Sequence, residues 1–118
     1  MFARIMGLTP IAPEALHQMM QAGPVTVVDV NAPESWMAHR IPGALNLPPL
    51  DYKEDALPDS KDTPLVFYCS NRFCRKAPKA ARRAVQMGYT NVQVMSAGIN
   101  GWRNADLPTE RGAPSADA

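Results

Sequence analysis

Leu65–Met87 reads LVFYCSNRFCRKAPKAARRAVQM, and its three parts decide the architecture. LVFYC (Leu65–Cys69) is short and continuously apolar, the pattern of a strand buried on both faces. The polar segment SNRFCRK then leads into Ala77–Met87, where Ala77, Ala80, Ala81, Ala84 and Val85 recur at helical spacing until Gly88 closes the run. A buried strand that feeds a helix through a polar turn is one half of a parallel βα unit.

The same alternation continues outward in both directions. VTVVDV (Val25–Val30) is a second β-branched, unbroken apolar run. Ahead of it PEALHQMMQA (Pro13–Ala22) starts with Pro, stops at Gly23 and carries Leu16, Met19 and Met20 on one apolar face, which predicts a helix. NAPES predicts a turn and a short helical piece, and IPGALNLP (Ile41–Pro48) a Pro-Gly turn with a short strand. Pro49–Pro64 reads mainly as loop. VQVM (Val92–Met95) predicts a further strand, and GINGWRNA a last short helix. The expected fold is therefore α/β, a central parallel sheet with helices on both faces and ligands at the carboxyl ends of its strands. Residues 1–10 read as an N-terminal extension, 11–110 as the domain and 111–118 as a flexible tail.

The chain of 118 residues is long enough for one core without disulfides or metal, and too short for a second domain of similar size. Its net charge of +1 gives no global attraction to nucleic acid or to an anionic membrane, so neither is expected as a partner. Met1–Pro13 breaks at Pro10 before an adequate apolar region, which argues against a signal peptide. No run approaches a membrane span. Two closely spaced cysteines suggest reactivity or mutual pairing more than a secreted scaffold, and a reducing, cytoplasmic setting is expected.

Cys69 ends a buried strand just ahead of a helix, where unsatisfied N–H groups and the positive end of the dipole favour thiolate over thiol. Arg72, Arg75 and Lys76 follow closely, with no acidic residue among them, and suit both activation of the sulfur and capture of an anion. The intervening N–H groups of Ser70, Asn71, Arg72, Phe73 and Cys74 are candidates for an anion-binding nest. A buried core cysteine beside a solvated helix start is the plainer reading from position alone. Cys74 has three readings: a resolving thiol, a second sulfur carrier, or a small loop residue. Its C-x4-C spacing is too wide for a zinc knuckle, and only His17 and His39 remain as further ligands, so no metal is expected.

Other residues carry structural expectations. Asp29 ends a strand and is expected to hold the neighbouring loops in shape. Trp36 and Trp102 are expected as core or sheet-capping aromatics, His39 in a turn, and His17 facing solvent. There is no Ser–His–Asp order, and Gly43, Gly98 and Gly101 do not spell a nucleotide fingerprint, so no cofactor is expected.

Across about Ile11 to Glu110 the motifs resemble the rhodanese, or sulfurtransferase, family. The resemblance rests on Asp29-Val30, Pro33-Glu34, Ile41-Pro42-Gly43-Ala44 followed by Asn46, the strand running into Cys69, and Ala97-Gly98-Ile99, Trp102 and Leu107-Pro108. It implies a single-domain thiosulfate sulfurtransferase-like enzyme that forms a Cys69 persulfide. A small anionic sulfur donor would be held by Ser70–Lys76, and the acceptor would be a thiol, cyanide or an acceptor protein. Three departures stand out. Asn31 replaces the family's usual Arg, His39-Arg40 replaces Gly-His, and the loop reads C-x5-R from Cys69 to Arg75 without Gly. That elongated spacing resembles the rhodanese-fold phosphatases and arsenate reductases, so tetrahedral oxyanion chemistry is an alternative. A sulfur-carrier or regulatory module with little turnover of its own is another.

Overall fold

The computed structural model describes residues 8–113. Residues 1–7 and 114–118, within the expected extension and tail, lie outside them. Among the described residues five strands form one sheet: β1 (Thr9–Pro10), β2 (Thr26–Asp29), β3 (Leu45–Asn46), β4 (Leu65–Tyr68) and β5 (Val92–Val94). Their spatial order is β1-β5-β4-β2-β3, and every pairing is parallel. The helices are α1 (Pro13–Ala22), α2 (Pro33–Ala38), α3 (Lys76–Gln86) and α4 (Gly98–Asn104), with a 3-10 turn at Glu54–Ala56.

Successive strand residues face opposite sides of a sheet, so an unbroken apolar strand serves two cores. Val28, Val30, Leu65 and Phe67 pack with Ala77, Ala80, Ala81 and Ala84 of α3 on one face. Val27, Val66 and Tyr68 pack with Leu16 of α1 and Ile99 and Trp102 of α4 on the other. Fully burying a side chain of the size of Phe67 contributes about 1.5–3 kcal/mol. This two-sided burial is why β2 and β4 form the centre of the sheet.

Three local readings differ from expectation. Val85 is 46% exposed, because one residue past Ala84 the helix has turned about 100° and left the buried face. His17 is half-buried and meets the indole of Trp102 edge to face, with ring centroids 5.8 Å apart, so it packs against the core instead of facing solvent. The edge strand β1, within the stretch read as an extension, pairs Thr9 with Gln93 and Pro10 with Val94. Two residues carry no alternation to read, and Pro is compatible with an edge strand.

Candidate active site

β4 delivers Cys69 to the carboxyl edge of the sheet, where it is only 2% exposed. Its carbonyl accepts the Ile99 N–H at 2.8 Å, and the Ser70 carbonyl accepts the Asn100 N–H at 3.0 Å, so the first turn of α4 is bonded directly to the end of the strand. That docking requires Gly98. Its φ is +68°, and a Cβ there would collide with the Ser70 backbone.

From Ser70 the chain bends back on itself. Ser70 Oγ donates to Asn31 Oδ1 at 2.8 Å. Asn71 then closes a turn twice over: its Oδ1 accepts the Phe73 N–H at 2.9 Å and its carbonyl accepts the Cys74 N–H at 3.1 Å. The turn returns Cys74 to Cys69, and the two are joined by a disulfide with Cα atoms 6.5 Å apart. Arg72 and Phe73 project outward, the guanidinium 5.2 Å from the ring centroid and Phe73 71% exposed. A small crevice lies between the sulfurs, Arg72, the start of α3 at Ala77 and Pro78, and Ser96 beyond β5. None of the described residues lining the crevice is acidic.

α3 begins against the usual electrostatic preference. Helices gain about 0.3–1 kcal/mol from an acidic side chain in the first turn, whereas this one has none and starts with Arg75 at the N-cap and Lys76, both exposed. Positive charge from Arg75, Lys76 and the helix dipole is thus concentrated at the start of α3, whose Ala77 and Pro78 line the crevice together with Cys69.

Next to this loop lies a buried polar corner. Asp29 is fully buried: its Oδ1 accepts the Asn31 N–H at 2.8 Å and its Oδ2 accepts the Tyr68 hydroxyl at 2.7 Å. The Tyr68 hydroxyl in turn accepts the Ile41 N–H at 3.1 Å. Asn46 Nδ2 donates to the carbonyls of Asp29 and Asn31. Burial pushes the Asp29 carboxyl above its ordinary value, against the hydrogen bonds from Asn31 and Tyr68, and the Tyr68 phenol is pushed up chiefly by burial as well. Trp36 and Trp102 are anchored by their indole N–H groups to the carbonyls of Ala44 and Pro108, and His39 ends α2.

Of the residues singled out in the sequence, the structure brings Cys69, Arg72 and Cys74 around one crevice with Asn71, and leaves Phe73, Arg75 and Lys76 on its exposed surroundings. Sequence reasoning missed Tyr68 and Ser96. Tyr68 was hidden inside an apolar run. Ser96 lines the crevice and has a buried hydroxyl without a hydrogen-bond partner among the described residues, and a serine after a strand carries no distinguishing pattern.

The profile of the rhodanese-like domain matches residues 12–105. The chain belongs to the rhodanese-like domain family. It is 38% identical over 84% of its length to the HTH-type transcriptional regulator Rv0324 of Mycobacterium tuberculosis, of which it spans 43%. It is 30% identical over 89% of its length to the thiosulfate sulfurtransferase GlpE of Actinobacillus succinogenes, of which it spans 93%. Among solved structures, thiosulfate sulfurtransferase from Pseudomonas aeruginosa superposes with a TM-score of 0.79 at 26% identity, covering 90% of this rhodanese-like chain and 20% of that one. Among the described residues of the domain no helix is long and apolar enough to cross a membrane, and no group of three or more His, Cys, Asp or Glu side chains is arranged to hold a metal ion.

Proposed function

We propose that this rhodanese-like domain is a sulfurtransferase working through a Cys69 persulfide. The observation that carries the reading is the position of Cys69, at the end of a central strand, beside a helix start stripped of acidic residues and flanked by Arg72, Arg75 and Lys76. Similarity to thiosulfate sulfurtransferases supports thiosulfate as the donor class. With both cysteines reduced, the Cys69 thiolate attacks the outer sulfur of thiosulfate, the S–S bond of the donor breaks, and sulfite leaves with the electron pair. The cations hold the donor's oxygens and the departing anion, while the first amides of α3 favour the negative persulfide. The buried Ser96 hydroxyl, without a hydrogen-bond partner among the described residues, belongs to a residue lining the same crevice and is a candidate donor to the outer sulfur. A thiol or cyanide then removes that sulfur, and a reducing, cytoplasmic setting suits a site that needs a free thiolate.

The spacing from Cys69 to Arg75 favours a second reading, a loop that seats phosphate or arsenate. The test is intact-protein mass spectrometry of reduced chain after thiosulfate, for the native protein and Cys69→Ser. One sulfur atom gained transiently by the native chain in its first turnover, removable by reductant and never gained by Cys69→Ser, is the expected result. If no sulfur is gained and an aryl phosphate or arsenate is turned over instead, the second reading replaces the first. Sulfur held stably but passed only to a protein partner would make the domain a carrier or regulatory module.

A further inference from the structure

We propose that Cys74 gives this loop a second activity, release of the bound sulfur as hydrosulfide through closure of the Cys69–Cys74 disulfide. This rests on the persulfide reading above and adds a fate for the persulfide that needs no external acceptor. Three observations carry it.

The first is the disulfide itself. It forms within the folded domain while Cys69 still accepts its bond from Ile99 and Ser70 its bond from Asn100, so pairing the sulfurs does not require the site to come apart. The Cα separation of 6.5 Å is within the range of about 4.4–6.8 Å that disulfides ordinarily span. The second is the Asn71 turn, whose two hydrogen bonds bend the loop so that Cys74 faces Cys69. A loop that served only to wrap an anion with its amides would have no need to return a second thiol to the nucleophile. The third is the asymmetry of the pair. Cys69 is buried and bonded to the first turn of α4, whereas Cys74 is half-buried between the exposed Phe73 and Arg75, on the outer side of the loop.

The step balances within the chain. The Cys74 thiolate attacks Sγ of Cys69, a new S–S bond forms between the two cysteines, and the bond from Cys69 Sγ to the outer sulfur breaks. That sulfur departs with the bonding electron pair and takes a proton from water as hydrosulfide. The sulfane sulfur is reduced by two electrons and the two cysteines are oxidised by the same two, so no outside oxidant enters. A dithiol reductant, whether a small dithiol or a dithiol protein, then opens the disulfide and restores both thiols. The cycle converts thiosulfate and a dithiol into sulfite, hydrosulfide and the oxidised dithiol. Because Cys74 is already held beside Cys69, it competes with dissolved thiols from a position of high effective concentration.

Single-turnover sulfide release tests this. Reduced native chain, Cys74→Ser, Cys74→Ala and Cys69→Ser are freed of reductant and given excess thiosulfate, with hydrosulfide and intact mass followed together. The native chain is expected to release one hydrosulfide and to lose two hydrogens. Both Cys74 variants are expected to retain one added sulfur and release hydrosulfide at least about tenfold more slowly, since the intramolecular thiol is gone. Added dithiol should then bring the native chain into repeated turnover. The proposal is overturned if the native chain keeps its added sulfur as the Cys74 variants do, if all three release sulfide alike, or if peptide mapping finds the sulfur moved onto Cys74. If the Cys74 variants gain no sulfur and the native chain releases none, the persulfide reading itself falls, a result distinct from the other three.

Discussion

β2 and β4 are hydrogen-bonded neighbours, in register as far as Asp29 opposite Tyr68, and the two strands then end in contrasting ways. Past Asp29 the chain enters a buried corner, where the Asn31 N–H and the Tyr68 hydroxyl occupy the two carboxylate oxygens, the Ile41 N–H donates to Tyr68, and Asn46 donates to the carbonyls of Asp29 and Asn31. Past Tyr68 it enters a loop with Asn71, Arg72, Phe73, Arg75 and Lys76 exposed and two sulfurs facing one another. The corner uses most of its polar groups to hold position, since a buried group without a partner costs about 1–3 kcal/mol, and among the described residues only Asn31 Nδ2 within it is left without one. The loop leaves its charges open to solvent, where an anion can reach them. Ser70 joins the two, with its hydroxyl on Asn31 and its carbonyl on the amide of Asn100. The division of labour predicts that variants in the loop change chemistry and variants in the corner change stability.

The largest effect tests the loop. With all proteins kept reduced, Cys69→Ser is expected to lower thiosulfate-dependent sulfur transfer by at least about 10³-fold, as removal of a covalent nucleophile does. Its denaturation midpoint should stay at the native value. Transfer retained in this variant would remove the loop from the chemistry altogether.

The corner is tested by Tyr68→Phe, which strips a hydroxyl from between Ile41 N–H and Asp29 Oδ2 and leaves both without that partner. Urea unfolding should show a loss of about 2–4 kcal/mol, while kcat of the folded fraction is unchanged. A fall in kcat at full stability would mean that the corner reaches into the reaction and the comparison fails.

Arg72→Ala should raise KM for thiosulfate by about tenfold, equivalent to about 1.4 kcal/mol, with little change in stability because the side chain is exposed. Adding salt should weaken donor binding in the native chain more than in this variant. An unchanged KM would assign the donor's oxygens to the other cations and the loop amides.

The smallest effect is in the pH dependence, where the corner and its outer rim oppose each other. Asp29 is held above its ordinary 3.8 by burial, so its contribution to stability is full below 3.8 and is lost as pH rises through the raised value. Glu110 is held below its ordinary 4.5 by the Gly43 N–H and by Arg40, so its contribution is present above 4.5 and is lost as pH falls through the lowered value. Thermal midpoints measured across the acid range should therefore fall less steeply with acid in Glu110→Gln than in the native chain. An equal slope would mean that the bonds to Gly43 and Arg40 are replaced by water at no cost.

How far each region could be read in advance follows from the same contrast. Cys69, Arg72 and Cys74 were legible because reactive and charged residue types fall together within a few positions, at a strand-to-helix junction that periodicity reveals. The four alanines of α3 were legible because they repeat. The corner was legible only at Asp29, since Tyr68 reads as one more apolar strand residue and its hydroxyl acts on residues 27 and 39 positions away. β1, too short to show a pattern, was missed, and His17 was misplaced because its neighbour Trp102 lies at the far end of the domain.

The sequence by itself determined the α/β alternation, the two central strands and the cysteine at the end of one of them, because apolar period and local residue chemistry act over a few positions. Tertiary structure alone decided that Gly98 lets α4 dock on Ser70, that Ser96 lines the same crevice as Cys69, and that Arg40 is paired with Glu110, 70 positions away. Those contacts depend on parallel strands bringing distant segments side by side, and hydrogen bonds across such separations leave no periodic trace in the chain.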